Sequence, residues 1–596
     1  MVTKNRFLVC FVTIVPFVCV ASVASGQTRP SGDPVSVEFF AVAADGTPVT
    51  DLRSDEVTLR INGRARALQT LQWIRSGPLP PGPEGRREAV LSPPFGSNVP
   101  HDAGRAVVVV VDDDSFRPGR EQVLRDSVRE FIASLSRRDR IALVTLPYGG
   151  LKVDFTSEHE RINNSLMRIV GQSPQNETGS ELACRTRRTL ESLTGLLGSL
   201  GGGVGPTTVV FVSSGLAGPR RDAAMALAPG MCELTSDHFR AVGNATAAAR
   251  AHFYVVQPED LNVRPTLQVE TIAGASFTGS DNPLEGLEHL TGVTGGHRLP
   301  MLTSRDNNLI RIARETSGYY AASFVPDASE RNGNAHSVDV KVARDKLDVR
   351  ARPSVVIPRP VSRSSRVPAP RDMLRQTHVF RDLPLRTAAY PSQNDAKTVK
   401  LLSVLEPIEP NVALTAAAVG LVDDRGRLVA QWTATSEELK TVPLIAALAV
   451  PTGTYRLRIA ATDTNGRGGT ADYDVIAELL PAGSLTMSAL VLGLSRGGFR
   501  PMLQFSNEPV AMAYLELYGQ TTNPAAVSVE LAMSEDGPAL LTMPASVSKT
   551  NDELRQFATA AVPIGSLPAG DYAVRAIVTV DGKQARVMRT LRKQAR

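Results

Sequence analysis

The stretch Ala106-Val-Val-Val-Val-Val-Asp-Asp-Asp-Ser115 decides the fold of the central part of this chain. A strand made of valines is typical of the middle of a parallel sheet, where both faces are buried. A segment with helical spacing follows from Val123 to Leu135, and a second apolar run covers residues 141–146. Open α/β sheets place their ligands at the carboxyl ends of their strands. The three acids therefore mark a candidate site for a metal with oxygen ligands.

The residues after this stretch continue the alternation of strand and helix. Strand-like runs recur at Thr207–Ser213 and His252–Val256. Helix-like runs lie at residues 159–170, 181–200, 236–249, 283–291 and 307–316. Such alternation predicts a doubly wound, Rossmann-like α/β domain over residues 105–316.

A buried strand that ends in acids and leads into a long helix resembles the von Willebrand factor A-type (VWA) domain. Further motifs extend the resemblance on both sides: Phe40-Ala-Val-Ala-Ala-Asp-Gly-Thr-Pro-Val49, Leu290-Thr-Gly-Val-Thr-Gly-Gly296, Tyr319-Tyr320 and His336-Ser-Val-Asp-Val-Lys-Val342. Their order and spacing resemble the VWFA-related domain of acidobacterial secreted proteins. The resemblance covers residues 35–357.

The resemblance implies a divalent cation site wherever the family's ligands are present. The family uses Asp-x-Ser-x-Ser after the first strand, a Thr on a second loop and an Asp after the fourth strand. If the motif starts at Asp112, then Asp114 and Phe116 occupy the serine positions. If it starts at Asp113, Ser115 is restored but Arg117 stands last.

The other two loops of this site also differ from the family pattern. Thr178 or Thr186 is the candidate on the second loop. Ser213-Ser214-Gly215 replaces the family's Thr-Asp-Gly, so a neutral hydroxyl stands where a carboxylate is expected. If a cation such as Mg²⁺ binds, we expect its ligands to come from Asp112, Asp114, Ser115 and Ser214. Because these loops differ from the family pattern, we expect instead a degraded metal site and no bound cofactor.

The N-terminus has the pattern of a secretory signal peptide. Lys4 and Arg6 precede an apolar stretch over residues 7–23, and Ala24-Ser25-Gly26 offers a cleavage site. We therefore expect residues 1–26 to be removed and the protein to be secreted or to lie in the periplasm or cell envelope. The alternative is an uncleaved anchor. No later segment has the roughly 18 apolar residues that a membrane span requires.

Cleavage would leave two of the four cysteines, Cys184 and Cys232. An even pair in an exported domain predicts a disulfide. In a doubly wound domain both residues would lie near the top of the sheet, Cys184 at the start of the third helix. Two buried free thiols are the alternative.

Charge and motifs argue against nucleic-acid binding and against catalysis. The formal net charge is +5, but the basic residues are scattered among nearly as many acids. The sequence has no His-Glu-x-x-His motif, and it offers no Gly-x-Ser-x-Gly elbow on a turn from a strand into a helix. We therefore expect no enzyme activity.

β-Sandwiches are predicted on both sides of the central region. Residues 35–76 and 317–357 alternate like strands, and neither half has enough strands for a core. They predict one sandwich into which the VWA-like domain is inserted. An extended linker is predicted over residues 358–373, followed by two immunoglobulin- or fibronectin-like sandwiches at 374–476 and 487–590.

The last two sandwiches share a repeated motif. Pro451-Thr-Gly-Thr-Tyr455 matches Pro568-Ala-Gly-Asp-Tyr572, and each copy leads into a strand and a turn. We expect each tyrosine to pack across its sandwich with its hydroxyl bonded locally.

Two functions fit these patterns. The first is an exported, non-enzymatic adhesion or protein-interaction protein that uses the VWA-like domain. The second is a structural scaffold that binds partners through the C-terminal sandwiches. A secreted hydrolase with accessory domains is a weaker alternative, because the sequence offers no nucleophile. The protein partner is not specified by the sequence.

Overall fold

The computed structural model describes residues 34–77, 91–100, 102–119, 121–173, 179–200, 203–219, 232–258, 283–301, 308–359, 367–376, 378–395, 397–495, 497–521 and 523–594. The predicted signal peptide and Thr178 lie outside these residues. Within them, most of the structure consists of antiparallel sheets, and one six-stranded sheet is mainly parallel. No helix among the described residues is both long and apolar enough to cross a membrane.

Five strands precede the central region: β1 (Val35–Ala43), β2 (Val57–Ile61), β3 (Arg64–Arg66), β4 (Thr70–Arg75) and β5 (Gly96–Ser97). The central strands are β6 (Ala106–Asp112), β7 (Arg140–Leu146), β8 (Lys152–Thr156), β9 (Thr207–Val212), β10 (Ala251–Pro258) and β11 (His297–Met301). The helices are α1 (Glu121–Ser134), α2 (His159–Leu166), α3 (Gly179–Ser199), α4 (Ser236–Ala248), α5 (Pro283–Thr294) and α6 (Asn308–Glu315).

The six central strands form one sheet in the order β11-β10-β9-β6-β7-β8. Neighbouring strands are parallel except for β7 and β8, which are antiparallel. Val107, Val109 and Val111 pack on one face with residues of α1, α2 and α6. Val108 and Val110 pack on the other face with residues of α3, α4 and α5. Helices on both faces explain why β6 needs valine at every position.

Four strands follow the central region: β12 (Gly318–Phe324), β13 (Ala335–Val342), β14 (Leu347–Ala351) and β15 (Ser354–Val356). They combine with the first strands into two antiparallel sheets, β14-β1-β12-β4 and β15-β13-β2-β3. One hydrophobic core joins the two sheets and includes Phe39, Ile61, Tyr320 and Phe324. Each flank therefore supplies strands to the same core, because neither flank has enough strands to bury one alone.

The next region contains α7 (Pro370–Met373), β16 (Leu385–Gln393), β17 (Val399–Pro407), β18 (Leu414–Val422), β19 (Leu428–Thr433), β20 (Leu444–Val450), β21 (Gly453–Asp463) and β22 (Gly468–Ala477). Its two sheets are β20-β17-β16-β5 and β19-β18-β21-β22. Their facing sides share one core.

The last strands are β23 (Leu480–Ala482), β24 (Leu485–Met487), β25 (Val491–Ser495), β26 (Phe499–Pro501), β27 (Val510–Tyr518), β28 (Ala526–Ala532), β29 (Ala539–Pro544), β30 (Ser546–Lys549), β31 (Arg555–Pro563), β32 (Gly570–Val580) and β33 (Lys583–Lys593). One sheet has the order β23-β24-β27-β25-β26 and is extended by β31 and β30. The facing sheet is β29-β28-β32-β33. The antiparallel β-sandwich character predicted for this half of the chain is confirmed.

The two repeated tyrosines have the environment that their motif predicts. Tyr455 and Tyr572 are both buried, and each belongs to the core of its sandwich. The Tyr455 hydroxyl donates to the Pro451 carbonyl at 3.0 Å, and the Tyr572 hydroxyl donates to the Pro568 carbonyl at 2.9 Å. The motif therefore repeats a local structure as well as a sequence pattern.

Two segments differ from the sequence-based expectation. The connection between β4 and β6 contributes β5, which pairs with β16 of the second sandwich. Residues 360–366 of the predicted linker (358–373) lie outside the described residues, and the linker is not extended at its end, where α7 forms. Met373 and Leu374 are buried there against Ala418 and Ala460. An apolar patch outside the β18–β21 pair therefore draws the chain into a helix.

Candidate functional site

Two loops meet at the carboxyl edge of the six-stranded sheet. Asp112 ends β6 and leads into a short 3-10 turn, Asp113–Ser115. Ser213 follows β9, and β6 and β9 are parallel neighbours, with Val111 opposite Val212. The chain leaves β6 toward one face of the sheet and β9 toward the other. In open α/β sheets the crevice at such a switch point is the usual ligand position.

The Asp112 carboxylate is enclosed by polar side chains from helix α3 and from the loop after β9. Asp112 is fully buried, and Ser213 Oγ donates to its Oδ2 at 2.7 Å. Arg185 Nη1, from α3, lies 3.4 Å from the same oxygen and donates to the Gly215 carbonyl at 3.1 Å. Thr189 Oγ1 lies 3.4 Å from Asp112 Oδ1. The Arg185 side chain is only 4% exposed, so this ion pair is shielded from water.

Burial dominates the acidity of the two inner carboxyl groups. Burial raises the pKa of Asp112 to about 7, although Arg185 and the Ser213 hydroxyl oppose the shift. Burial also raises the pKa of Asp113 to about 6, against a hydrogen bond from Thr145. Both acids therefore titrate in the range where exposed aspartates are already ionised.

The two serines predicted as ligands connect the loops. Ser115 Oγ donates to the Asp112 carbonyl at 2.6 Å and accepts a hydrogen bond from the Ser214 backbone N–H at 3.0 Å. Ser214 Oγ is buried and has no hydrogen-bond partner among the residues that the structure describes. Thr186 Oγ1, the second-loop candidate, accepts from the Ala217 N–H at 2.8 Å. The Ser115 and Thr186 hydroxyls therefore hold one segment against another.

Asp114 lies at the outer rim of the site. Its carboxylate is 3.6 Å from Arg188 Nη2, and the Arg188 guanidinium also lies 5.8 Å from the centre of the Tyr148 ring. Tyr148 is 68% exposed. The rim thus presents an aromatic ring and a cation, and the largely buried Asp114 carboxylate lies beside the cation. We call Tyr148, Arg188 and Asp114 the rim triad.

A disulfide holds the start of α3 beside this site. Cys184 and Cys232 are bonded, with an S–S distance of 2.00 Å and a Cα–Cα distance of 4.9 Å. Cys184 directly precedes Arg185 on α3. The bond therefore fixes the backbone from which the Arg185 side chain reaches Asp112.

These residues do not fit a divalent cation. Mg²⁺ and Ca²⁺ require several oxygen ligands with lone pairs directed at the ion. Here the Arg185 guanidinium already lies beside Asp112, and the Ser213 hydroxyl donates its proton to the same carboxylate. Among the described residues, no three His, Cys, Asp or Glu side chains are grouped so that they could hold a metal. A bound cation would have to displace a buried guanidinium.

The site brings Asp112, Ser115 and Ser214 together and places Asp114 at the rim. Sequence analysis missed Arg185, Thr189 and the role of Ser213. The available signal was an arginine directly after Cys184, one turn before a threonine on the same face of a helix. His297, which lies outside this site, begins β11.

Comparisons with known proteins give no family. No family model and no curated protein matches the chain. Among solved structures, an ICAM-5 D1–D4 ectodomain fragment is 11% identical, with a TM-score of 0.14, over 46% of this chain and 64% of that one. A DUF3823 family protein from Bacteroides ovatus is 10% identical, with a TM-score of 0.14, over 34% and 99%. An endo-fucoidan hydrolase of glycoside hydrolase family 107 is 9% identical, with a TM-score of 0.14, over 82% and 98%. At these TM-scores we base no argument on the matches.

Proposed function

We propose that this chain is an exported, non-enzymatic adhesion or protein-interaction protein that binds a protein partner through the carboxyl edge of a VWA-like domain with a degraded metal site. The observation that carries the proposal is the Asp112–Arg185 ion pair at the switch point of the sheet. It puts a permanent side-chain cation where the VWA resemblance implies a metal ion.

The strand order supports the VWA-like assignment. In order along the chain, the six central strands are arranged 6-5-4-1-2-3, which is the order common in doubly wound sheets. The insertion of this region between two halves of a sandwich agrees with the VWFA-related resemblance over residues 35–357. The disulfide supports export, since such bonds persist in oxidising compartments.

The rim triad supports a protein partner. Tyrosine and arginine are enriched among the residues that dominate binding energy at protein interfaces. Tyr148 is 68% exposed, and the neighbouring Arg188 side chain is 46% exposed. A partner could therefore cover both side chains without rearranging the buried Asp112 network.

The alternative, a scaffold that binds through its C-terminal sandwiches, has its own supporting observation. Met533, Leu540 and Leu541 are 55%, 50% and 41% exposed, and the two leucines lie on β29, an edge strand. Exposed apolar side chains on a sheet edge favour association with another chain.

One experiment separates the two functions. Immobilised protein is incubated with a cell-envelope extract, and retained partners are quantified for the parent, Y148A/R188A and L540A/L541A. We expect Y148A/R188A to lose the retained partner, L540A/L541A to keep it, and EDTA to have no effect. Loss only with L540A/L541A would favour the scaffold. Loss of the partner on adding EDTA would contradict a site that works without metal.

A further inference from the structure

A cleft of about 1200 Å³ lies at the opposite end of the six-stranded sheet from the acids. One wall comes from α1, the start of β7, the β8–α2 connection and α6. The other comes from residues 92–97 and 102–104 and from β22 of the second sandwich. Small-molecule sites occur preferentially at such junctions between domains, in cavities of roughly 300–1,000 Å³.

Contacts on both sides hold the two walls at a set distance. Arg137 and Arg138 form ion pairs with Glu535 and Asp571 of the third sandwich. Arg456 Nη2, on the second sandwich, donates to the Phe155 carbonyl at 2.8 Å. The cleft is therefore preformed, and a ligand would not have to bring its walls together.

Arg140 is the exceptional residue of this cleft. It begins β7, and its guanidinium lies 5.8 Å from the centre of the Phe155 ring. It makes no side-chain hydrogen bond or ion pair within the described chain, although it is only partly accessible to water. Burial lowers the pKa of Arg140, and the nearby Asp474 and Asp472 oppose the shift.

The acids around Arg140 already have partners. Asp472 accepts from Arg458 Nε at 2.8 Å, and Asp474 lies 3.5 Å from Arg456 Nε. Two glutamates, Glu158 and Glu160, also line the cleft near the start of α2. The cleft therefore carries charges of both signs. An anion would bind at Arg140, because the other cations named here are already paired with acids.

The remaining lining favours a ligand with both apolar and hydrogen-bonding parts. The apolar lining includes Ile132 on α1, Leu135 directly after α1 and Ile310 on α6. Asn163 lines the same cleft, and its buried Oδ1 has no hydrogen-bond partner in the described part of the chain. A buried polar atom of this kind is satisfied when a ligand or water supplies the missing donor.

We propose that this cleft, which we name the Arg140 cleft, binds a small amphipathic organic anion whose acidic group pairs with the Arg140 guanidinium and whose apolar body lies along α1 and α6. Arginine is suited to this role because its planar guanidinium makes charge-assisted hydrogen bonds to oxyanions. The Arg140 cleft is separate from the rim triad and does not depend on the function proposed for it.

The test uses two probes that share a ring system and differ in charge. 8-Anilinonaphthalene-1-sulfonate carries a sulfonate, and N-phenyl-1-naphthylamine is neutral. Fluorescence titration of the full protein should show saturable binding of the sulfonate probe and weaker binding of the neutral one. Arg140→Gln should weaken the sulfonate probe about tenfold or more, the size expected for a lost charge-assisted hydrogen bond, and change the neutral probe less than twofold.

Two further variants make the result decisive. Arg187→Gln removes an exposed arginine that pairs with Glu191 on α3, and it should change neither affinity. Ala133→Trp fills the Arg140 cleft from an exposed position on α1 without removing a charge, and it should weaken both probes. Equal sulfonate affinity in the parent and Arg140→Gln, or unchanged binding in Ala133→Trp, would overturn the proposal. If Arg140→Gln does not fold, Ala133→Trp and the preference of the parent for the charged probe decide.

Discussion

At the scale of single residues, Arg185 determines what the carboxyl edge of the sheet can bind. Its guanidinium is buried against Asp112 and the Gly215 carbonyl. Displacing it would leave a buried charge without its counter-charge, which is strongly unfavourable. We therefore expect calorimetric titrations with magnesium, manganese and calcium to show no site tighter than roughly millimolar. A micromolar magnesium site that disappears in Asp112→Asn would show that Arg185 does move aside.

The raised pKa of Asp112 makes a separate prediction about pH. The pKa of Asp112 is near 7 in the folded protein, above the ordinary aspartate pKa of 3.8. Because the folded state then binds a proton that the unfolded state has lost, the folded protein loses stability as pH rises from about 4 to 7. Asp112→Asn removes this loss but leaves Arg185 without its partner. We therefore expect the gap in free energy of unfolding, parent minus variant, to fall as pH rises over this window. Urea unfolding at several pH values measures the gap, and a gap that widens would show that Arg185 lowers the pKa of Asp112 instead.

At the scale of elements, the disulfide connects α3 to the chain that follows β9. Cys184 and Cys232 are 48 residues apart, and closing a loop of that length contributes about 4 kcal/mol in the chain-entropy model. We expect mass spectrometry of the unreduced protein to find the two peptides linked. Cys184→Ser/Cys232→Ser should lower the free energy of unfolding by up to that amount. Free thiols at both positions in unreduced protein would contradict this prediction.

Elements that form because of their own residues could be predicted from the sequence. Elements that form because of contacts with residues far away in the chain could not. The valine strand β6 carries its own pattern, and the Pro-x-Gly-x-Tyr turn brings its own hydrogen bond. By contrast, β5 is two residues long and exists because β16 offers an open edge. The role of Arg185 likewise depends on where α3 lies relative to β6, which no spacing along the chain encodes.

At the scale of the whole molecule, a short segment connects the central region to both C-terminal sandwiches. Phe95 is buried between two guanidinium groups, 5.1 Å from that of Arg386 on β16 and 4.9 Å from that of Arg592 on β33. Arg592 also pairs with Asp102 at 2.8 Å. One aromatic ring therefore contacts cations from two sandwiches at once, and stacked cations of this kind contribute about 0.5–2 kcal/mol each.

This arrangement predicts that Phe95 holds the regions together more than it stabilises any one of them. Phe95→Ala removes both cation–π contacts and leaves a space at the junction, so we expect the sandwiches to separate while each retains its own core. Small-angle scattering should then show a larger radius of gyration, with little change in far-ultraviolet circular dichroism. Leu541→Ala, an exposed change on β29, is the matched control and should leave the scattering unchanged. An unaltered radius in Phe95→Ala would mean that contacts independent of the ring hold the regions in place, such as the hydrogen bond from Arg589 Nη1 to the Tyr473 hydroxyl at 3.0 Å between the two sandwiches.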